Sequence, residues 1–412
     1  MEDKLLKKYY DVIIQSALNL YEGQSLFIGC GVKNYDFGIK LAEAAYQYGL
    51  KYVDVMFGSD FVKKARIDNN RNNEFLEFIP NYMLTRSYEM LSNDWAMLKI
   101  DNVDEIDVLK GIDPTKMEVL SKKEFSTFTR QSQSTVGFHH QWCIVTPPGK
   151  NWAKLVTGIE NEDEAIKKLE ESLIKILRLD TEDPVKAWKD HADKLSVRAK
   201  ILSELNLDKL HFETDGTDLI IGLNNEALWK GGYGKANNGR NFIPNLPTEE
   251  IFSTPDFTRT SGKAKVTKPV KVLETQLNGI WFEFKDGRVI NYGCDNNKEI
   301  LDKFFSIDEG AKYLGEVALV DKSSKIFESG LIFNNILYDE NAACHIALGR
   351  GFSALIKDGN KLTTPELLKK GGCNFSLVHT DFMIGSSNIN VTGYDRKGNT
   401  VKIIENGSFV IG

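Results

Sequence analysis

The chain has 412 residues, and its 52 lysines and arginines against 58 aspartates and glutamates give a net charge of −6 with neutral histidines. Hydrophobic residues make up 42% and charged residues 27%, which is typical of a soluble globular protein of two or three domains. The acid excess is modest and evenly spread, so it argues against a nucleic-acid-binding surface and against a polybasic membrane anchor.

Helix and strand patterns alternate along the first half of the chain, beginning with an amphipathic helix over residues 1–20. Its apolar residues, among them Tyr9, Val12 and Ile13, recur at spacings of three and four. Strands that alternate with helices predict βαβ units and a parallel sheet covered on both faces. The apolar runs that follow predict strands at 25–29, 51–57, 94–100 and 141–146, and helices at 38–46 and from 84 towards the third strand.

A change of character marks the domain boundary. The charged but periodic stretch 161–202 predicts two helices, separated at Thr181-Glu-Asp-Pro184. From about Lys209 short strands dominate, with a hairpin turn at Asp286-Gly287 and helices over 298–313 and 340–348. We place the boundary near 185–200. The prediction is an α/β domain with a parallel sheet over 1–190, followed by a strand-rich α+β domain over 191–412.

The N-terminal segment and the cysteines predict a cytoplasmic location. Charges interrupt the first residues too often for a signal peptide, and no uncharged apolar run approaches the roughly 18 residues of a transmembrane helix. The five cysteines are odd in number and lack CxxC spacing, which favours neither a disulfide framework nor a zinc knuckle. A reducing compartment follows as the default.

Two of the six histidines lie in patterns that suit a metal site. His379 and Asp381 are two residues apart, so on a strand they face the same side. His345 follows Asp339, which could cap a helix that carries this histidine. Each pattern alone is equally typical of a surface ion pair or of a buried, hydrogen-bonded histidine. Cys344 is adjacent to His345 only in sequence, so a thiol nucleophile is not favoured.

Several carboxylates have both a structural and a functional interpretation. Glu249 and Glu250 could stabilise the start of a helix after Pro247. Glu316 heads an apolar strand, where a buried carboxylate needs a partner. Glu340 could be an acid of a first helical turn. The sequence Gly29-Cys30-Gly31 lacks the rest of a dinucleotide-binding pattern, so it predicts a turn rather than a phosphate site.

Four longer segments together resemble one known family. The segments are 245–252 (NLPTEEIF), 308–320 (DEGAKYLGEVALV), 337–349 (LYDENAACHIALG) and 379–385 (HTDFMIG). In this order they are similar to the thermophilic-type leucyl aminopeptidases, the metallopeptidases that include aminopeptidase T and aminopeptidase S. The similarity runs over most of the chain and is densest between Asn245 and Gly385.

The resemblance implies a homodimeric enzyme with a C-terminal catalytic domain and two divalent metal ions. Mixed nitrogen and oxygen ligands fit zinc, cobalt or manganese. A metal-activated hydroxide would release N-terminal residues from short peptides, and Glu316 or Glu340 would pass the proton to the leaving amine. Glu340 is also a candidate extra ligand, and Glu249 remains a neighbour. The implied metal ligands are Glu250, Glu316, His345, His379 and Asp381.

The chain departs from the family at one position. The family has a tyrosine seven residues after the first site histidine, whereas here Phe352 follows His345 at that distance. Phenylalanine can neither ligate a metal nor donate to an oxyanion, and losing one such donor typically costs on the order of 10²–10³ in rate. A metal-dependent hydrolase of another amide therefore stays open as an alternative. A non-catalytic binding protein on the same scaffold is the rival from a different class.

Overall fold

The computed structural model describes residues 1–273, 275–362 and 364–412. Its α-helices are α1 Asp3–Val12, α2 Tyr35–Tyr48, α3 Asp60–Asn69, α4 Asn73–Leu76, α5 Asn81–Ser92, α6 Pro114–Thr127, α7 Thr129–Val136, α8 Lys150–Thr157, α9 Glu162–Ile176, α10 Pro184–Leu205, α11 Lys298–Ser306, α12 Lys325–Ser329, α13 Ile336–Asp339 and α14 Pro365–Lys370. Helix α1 continues into a π-helical turn, Ile13–Ala17, and short 3₁₀ turns include Glu309–Lys312 and Glu340–Ala342.

The strands, in chain order, are β1 Ser25–Gly31, β2 Tyr52–Gly58, β3 Ala96–Ile100, β4 Trp142–Val145, β5 Leu207–Thr214, β6 Thr217–Leu223, β7 Lys230–Gly231, β8 Gly234–Lys235, β9 Asn241–Phe242, β10 Asn245–Leu246, β11 Glu250–Ser253, β12 Pro255–Lys265, β13 Val270–Val272, β14 Thr275–Leu277, β15 Trp281–Lys285, β16 Arg288–Gly293, β17 Leu314–Val320, β18 His345–Gly349, β19 His379–Met383, β20 Asn390–Asp395, β21 Thr400–Glu405 and β22 Ser408–Phe409.

These elements form two compact units. The first contains Met1–Lys189 and Tyr233–Leu246, and the second contains Asp190–Gly232 and Pro247–Gly412. The sequence boundary at 190/191 assigns residues 233–246 to the second domain, whereas here they belong to the first unit. The reason is strand pairing, because β10 adds in parallel to β4 with Asn245 opposite Ile144.

The first unit has the predicted parallel sheet. Its strand order is β10-β4-β3-β1-β2, and β1 pairs in parallel with both β2 and β3. Leu26 and Ile28 of β1 are fully buried, because the helices that connect the strands cover both faces of a parallel sheet. Helix α2 ends where Gly49 takes a left-handed conformation with φ of 106°. The α/β class predicted for this part is confirmed.

The second unit is rich in antiparallel strands, as predicted. An eight-stranded sheet has the order β16-β15-β12-β6-β5-β20-β21-β22, and its β15–β16 hairpin turns at Asp286-Gly287, both with positive φ. A second sheet has the order β19-β18-β17-β11-β7. Aromatic residues such as Phe282 and Phe382, with ring centroids 4.9 Å apart, pack in the core of this unit. Strands β17 and β18 are buried along their whole length.

The predicted helix over 340–348 is wrong. Residues 340–342 form a 3₁₀ turn and His345–Gly349 is strand β18, which pairs with β17 on one side and β19 on the other. A short apolar run does not distinguish a buried strand from a buried helix, and here pairing on both edges decides it. Asp339 therefore caps no helix that carries His345, but accepts hydrogen bonds from the backbone N–H groups of Phe333 and Asn335.

The helix considered after Pro247 is also wrong, because this segment becomes strand β11 with Glu250 as its first residue. The turn predicted at Gly29-Cys30-Gly31 is wrong as well, because these residues form the end of strand β1. Within the described residues, no helix combines the length and the apolar character needed to cross a membrane.

Candidate metal centre

Four adjacent strands of the β19-β18-β17-β11-β7 sheet carry the five predicted ligands. Glu250 begins β11, Glu316 lies in β17, His345 begins β18, and both His379 and Asp381 lie in β19. All four strands run antiparallel to their neighbours in this sheet. Side chains that are directly opposite in such a pair project from the same face.

The strand register places all five ligands on one face of the sheet. Ala318 of β17 is opposite His345, and Ala347 of β18 is opposite both Glu316 and Asp381. Glu250 shares this face with Phe252, because Phe252 is also opposite Ala318. The methyl side chains of Ala318 in β17 and Ala347 in β18 therefore lie on this face among the ligands. Because they are short, they leave the space above them to the longer carboxylates and imidazoles.

The ligand atoms converge in two groups that share one carboxylate. Glu250, Glu316 and His345 form the first group, and Glu316, His379 and Asp381 form the second, with the atoms of each group within 4.8 Å of one another. Nε2 of His345 is 3.3 Å from Oε2 of Glu250. Nε2 of His379 is 3.2 Å from Oε2 of Glu316 and 3.4 Å from Oδ1 of Asp381. Glu316 is thus the carboxylate that the two groups have in common.

Both histidines present the same ring nitrogen to the carboxylates. Nδ1 of His379 is 2.7 Å from the carbonyl oxygen of Arg350, and Nδ1 of His345 is 3.2 Å from that of Ala343. A carbonyl oxygen can only accept, so Nδ1 carries the proton and donates in each case. Nε2 is left for a ligand, which is the usual arrangement of a metal-binding histidine held by a backbone carbonyl.

Burial and mutual repulsion raise the pKa values of two carboxyl groups. Burial raises the pKa of Glu250 to about 8, and Glu316 and Asp381 add to the rise against the opposing effect of His345. The pKa of Glu340 is raised well above its usual value, first by burial and then by Glu250, Asp381 and Glu316. Without a cation these acids crowd one another at close range.

The pKa values of the two histidines are also raised, but here the neighbouring carboxylates act against burial. Burial lowers the pKa of His345, but the negative charges of Glu250, Asp381 and Glu316 outweigh it and raise the pKa above its usual value. For His379 the same balance raises the pKa well above its usual value, with Asp381 as the largest favourable partner. In turn His379 and His345 overcome burial and lower the pKa of Asp381. The carboxylates thus favour a positive charge beside them, which an imidazolium or a bound cation can supply.

The donor set fits a pair of divalent cations. Oε2 of Glu250 is buried and accepts no hydrogen bond from the described residues, although Nε2 of His345 lies nearby. A buried acceptor without a donor is costly unless a cation or another donor serves it. Three carboxylates with two imidazole nitrogens match the preferences of zinc, cobalt or manganese, whereas calcium and magnesium prefer oxygen alone.

Glu340 and its neighbour Asn341 lie beside these groups. Within the part of the chain that the structure describes, Glu340 belongs to neither group of converging ligand atoms. Asn341 is fully buried and donates to the carbonyl oxygen of Leu337 at 3.0 Å, and its Nδ2 is 3.4 Å from Oε1 of Glu340. Its Oδ1 accepts from the backbone N–H of Glu249 at 2.7 Å. Sequence reasoning missed Asn341, since no local pattern marks it.

The remaining candidates lie away from the convergent groups. Glu249 faces His191, with Oε2 to Nε2 at 3.3 Å, so Glu249 is a neighbour of the candidate site rather than a member of it. His211 pairs with Asp218 at 2.7 Å. Cys344 is buried, and burial raises the pKa of its thiol to about 12, which does not suit a nucleophile.

Phe352 lies against one of the predicted ligands. Its ring centroid is 5.1 Å from that of His379 and 6.2 Å from that of Phe252. Its backbone N–H donates to Oγ1 of Thr254, which fixes the start of the loop after β18. The position is therefore next to the candidate centre, and a hydroxyl group on this ring would add a polar group there.

Comparisons with known proteins identify relatives along the full chain. The thermophilic metalloprotease (M29) family model matches residues 2–409. Aminopeptidase PepS of Streptococcus thermophilus is 33% identical over 407 residues, covering 98% of each chain. Aminopeptidase T of Thermus aquaticus is 33% identical over 414 residues, with the same coverage. The structure of wild-type AmpT from Thermus thermophilus matches with a TM-score of 0.89 and 31% identity over 99% of both chains. The chain belongs to the thermophilic metalloprotease (M29) family.

Proposed function

We propose that this protein is a metal-dependent aminopeptidase that removes N-terminal residues from short peptides at a centre of two divalent ions. The observation that carries the proposal is the convergence of two ligand groups on one buried sheet face, with Glu316 in both. The names of the relatives, which are aminopeptidases, support the choice of reaction. Zinc, cobalt and manganese are the metals that the ligand types favour.

The residues divide into two sets of ligands. Glu250, Glu316 and His345 would hold one ion, and Glu316, His379 and Asp381 the other. The three carboxylates carry three negative charges against the four positive charges of two divalent ions, so the filled centre can accept a further anion. When bound, two such ions lower the pKa of water and polarise a carbonyl group.

Glu340 is the residue that we assign to proton transfer. Because Glu316 would be occupied as the shared ligand, Glu340 is the remaining carboxyl group close to all three acidic ligands. Burial, followed by Glu250, Asp381 and Glu316, raises its pKa, which favours the protonated form that could donate to a leaving amine. Asn341 lies beside it, with its Nδ2 3.4 Å from Oε1 of Glu340.

Location and assembly are further parts of the proposal. A cytoplasmic location agrees with the five free cysteines, four of which are buried thiols. A homodimer is what resemblance to the family implies. Both can be measured directly, by fractionation of cells and by the mass of the purified protein in solution.

The experiment that tests the proposal replaces the shared carboxylate. Glu316→Gln keeps the size of the side chain but removes its charge. We expect hydrolysis of leucine p-nitroanilide to fall at least about 10³-fold, because several kcal/mol of charge stabilisation depend on the ions. Metal content, measured by elemental analysis, should fall from two ions per chain to one or none.

A buried carboxylate of the first unit provides the matched control. Glu105 accepts hydrogen bonds from Oγ of Ser59 and from the backbone N–H of Asp60. Glu105→Gln should change activity by less than about twofold, because Glu105 belongs to neither group of converging ligand atoms. Full activity and metal content in a folded Glu316→Gln protein would refute the proposal, and a wild-type protein without bound metal after metal-replete purification would favour a binding protein.

A further inference from the structure

One buried amide contacts two of the segments that carry acids of the candidate centre. Asn341 is fully buried in the 3₁₀ turn that begins at Glu340. Its Oδ1 accepts a hydrogen bond from the backbone N–H of Glu249 at 2.7 Å, directly before the predicted ligand Glu250. Its Nδ2 donates to the carbonyl oxygen of Leu337 at 3.0 Å and lies 3.4 Å from Oε1 of Glu340. The amide therefore joins the start of β11 to the turn that carries Glu340.

The partners of this side chain require an amide. The backbone N–H of Glu249 can only donate and the carbonyl oxygen of Leu337 can only accept, so the position needs an acceptor and a donor side by side. Asparagine provides both, whereas an apolar side chain of this size would lose both bonds in the core. With these two bonds made, the planar amide has one N–H left, and it faces Oε1 of Glu340.

The backbone of the turn is held as well. Oγ of the buried Ser324 donates to the carbonyl oxygen of Asn341 at 2.8 Å. The bonds to Ser324, Glu249 and Leu337 come from three separate points of the chain, so they fix the amide independently of Glu340. The glutamate side chain has more rotatable bonds to order than the asparagine. The amide is therefore a fixed point beside a more flexible carboxyl group.

The Glu340 carboxyl group lies close to the ligands, but their charges do not hold it in one orientation. Burial, and then the charges of Glu250, Asp381 and Glu316, raise its pKa, which requires these groups to be near one another. Like charges repel, so this proximity supplies no orienting bond. Among the residues that the structure describes, Asn341 is the one side chain that donates a hydrogen bond to this carboxyl group. The orientation of Glu340 therefore depends on that contact.

We propose that Asn341 is a positioning residue that holds Glu340 in the orientation from which it gives its proton to the leaving amine. This inference rests on the proposed aminopeptidase function and adds to it the residue that orients the proton donor. Because Oε1 accepts from Asn341, the proton is carried by Oε2. When the C–N bond of the substrate breaks, its electron pair goes to the amine nitrogen, which takes the proton from Oε2. Glu340 is left as a carboxylate, which solvent protonates again.

The test compares two leaving amines on the same protein. The amine released from Leu-Gly-Gly is strongly basic and must be protonated as it leaves, whereas p-nitroaniline is a very weak base and needs this proton much less. In Asn341→Ala, kcat for Leu-Gly-Gly should fall about tenfold more than kcat for leucine p-nitroanilide, with little change in either KM, because a misplaced donor slows the reaction without weakening binding. The ratio of the two kcat values is independent of the folded fraction, so a less stable variant still gives a clear result.

A double variant shows whether Asn341 acts through Glu340. Glu340→Gln should change the ratio in the same direction and by more, since a general acid typically contributes about 10²–10⁴-fold. Adding Asn341→Ala to Glu340→Gln should change the ratio by less than about twofold, because the positioned donor is already gone. The matched control is Asn374→Ala, which removes another buried asparagine of this unit and should leave the ratio unchanged. Nδ2 of Asn374 donates to the carbonyl oxygens of Gly310 and Gly349.

A measurement without catalysis tests the contact itself. In chelated protein with isotope-labelled asparagine, Glu340→Gln should shift the side-chain amide resonance of Asn341 and leave that of Asn374 in place. Asn341→Ala and Asn374→Ala assign the two resonances, because each variant lacks one of them.

The outcomes separate this inference from the proposed function. An unchanged ratio in Asn341→Ala, an equal change in Asn374→Ala, a full additional change in the double variant or an unmoved Asn341 resonance would overturn this inference alone. An unchanged ratio in Glu340→Gln would overturn the proton-transfer role on which it rests. A wild-type protein that hydrolyses neither substrate would overturn the proposed function itself.

Discussion

The two units each bury a histidine, yet they shift the pKa values of these side chains in opposite directions. In the first unit, burial and the neighbouring His139 lower the pKa of His140 to about 4, so the ring is neutral. In the second unit burial acts on His345 in the same direction, but Glu250 and the other carboxylates outweigh it and raise the pKa. Burial without nearby acids thus lowers the pKa of a histidine. Burial beside clustered acids raises it, and those acids and the histidine together can bind a metal ion.

The two sheets show the same contrast. Strand β1 of the parallel sheet places apolar side chains such as Leu26 and Ile28 in its buried positions. Strand β17 is equally buried, yet Glu316 occupies one of its positions at 5% exposure. A buried charge destabilises a sheet unless a partner compensates it. The second sheet is therefore expected to depend on bound metal, whereas the first is not.

Metal removal is the strongest test of this contrast, because it should destabilise the ligand-bearing sheet and leave the parallel sheet almost unchanged. With a chelator, amide hydrogen exchange in β17, β18 and β19 should accelerate by about 10²–10³, because loss of a tightly bound ligand removes about 3–4 kcal/mol of native-state stability. Exchange in β1 and β3 should change by less than about threefold. Mass spectrometry of peptides from both units measures this. Equal acceleration in the two sheets, or none in either, would show that the ligand face does not need ions.

Acid should act on the first unit through His140. Its folded-state pKa of about 4 is below the value of 6.5 for an unperturbed histidine, so between these values the unfolded chain binds the extra proton. Stability present above pH 6.5 is therefore lost as the pH falls towards 4, by about 3 kcal/mol. Urea unfolding of the chelated protein at pH 4.5 and pH 7 measures the loss.

The variant His140→Gln should flatten this dependence, since glutamine can still contact Oγ of Ser134, which lies 2.9 Å from Nδ1 of the native ring. His139→Gln, at the exposed neighbouring position, should keep most of the slope. If His140→Gln retains the full loss of stability between pH 6.5 and 4, another group causes it.

The smallest expected effect concerns Phe352. Phe352→Tyr places a hydroxyl group on a ring that lies 5.1 Å from the ring of His379, and a donor there can stabilise a developing oxyanion. We expect kcat on amino-acid arylamides to rise by about tenfold with little change in KM. Phe252→Tyr, on the neighbouring ring, is the matched control and should not raise kcat. An unchanged or lower kcat in Phe352→Tyr would exclude a catalytic role for this position.

Periodicity along the chain was sufficient to predict most of the fold. The two-residue alternation around His379 and the apolar run around Glu316 both became strands as predicted. The segment that begins at His345 was predicted to be a helix but is a strand, because its five apolar-rich residues suit a helix and a buried strand equally well. Only pairing with β17 and β19, from distant parts of the chain, makes it a strand.

The candidate site was predictable to a different degree at each residue. Glu316 stands out by itself, because a buried acid requires a partner. Glu250 could not be separated from Glu249 without the resemblance, since the face that each takes depends on β11 becoming a strand. Asn341 has no local signal at all. Its place follows from a buried hydrogen bond that its Oδ1 accepts from the backbone N–H of Glu249.

The shared position of Glu316 has a consequence for how the protein acquires its ions. In the proposed two-ion centre, one carboxylate that belongs to both ligand groups would make the two binding equilibria interdependent. With one ion bound, the rotamer of Glu316 would be fixed and part of its charge neutralised, so the remaining ligands would form a site that is better ordered but less negative. The order of loading, and the fraction of half-filled protein at a given metal supply, would then depend on a single side chain in the middle of the sheet.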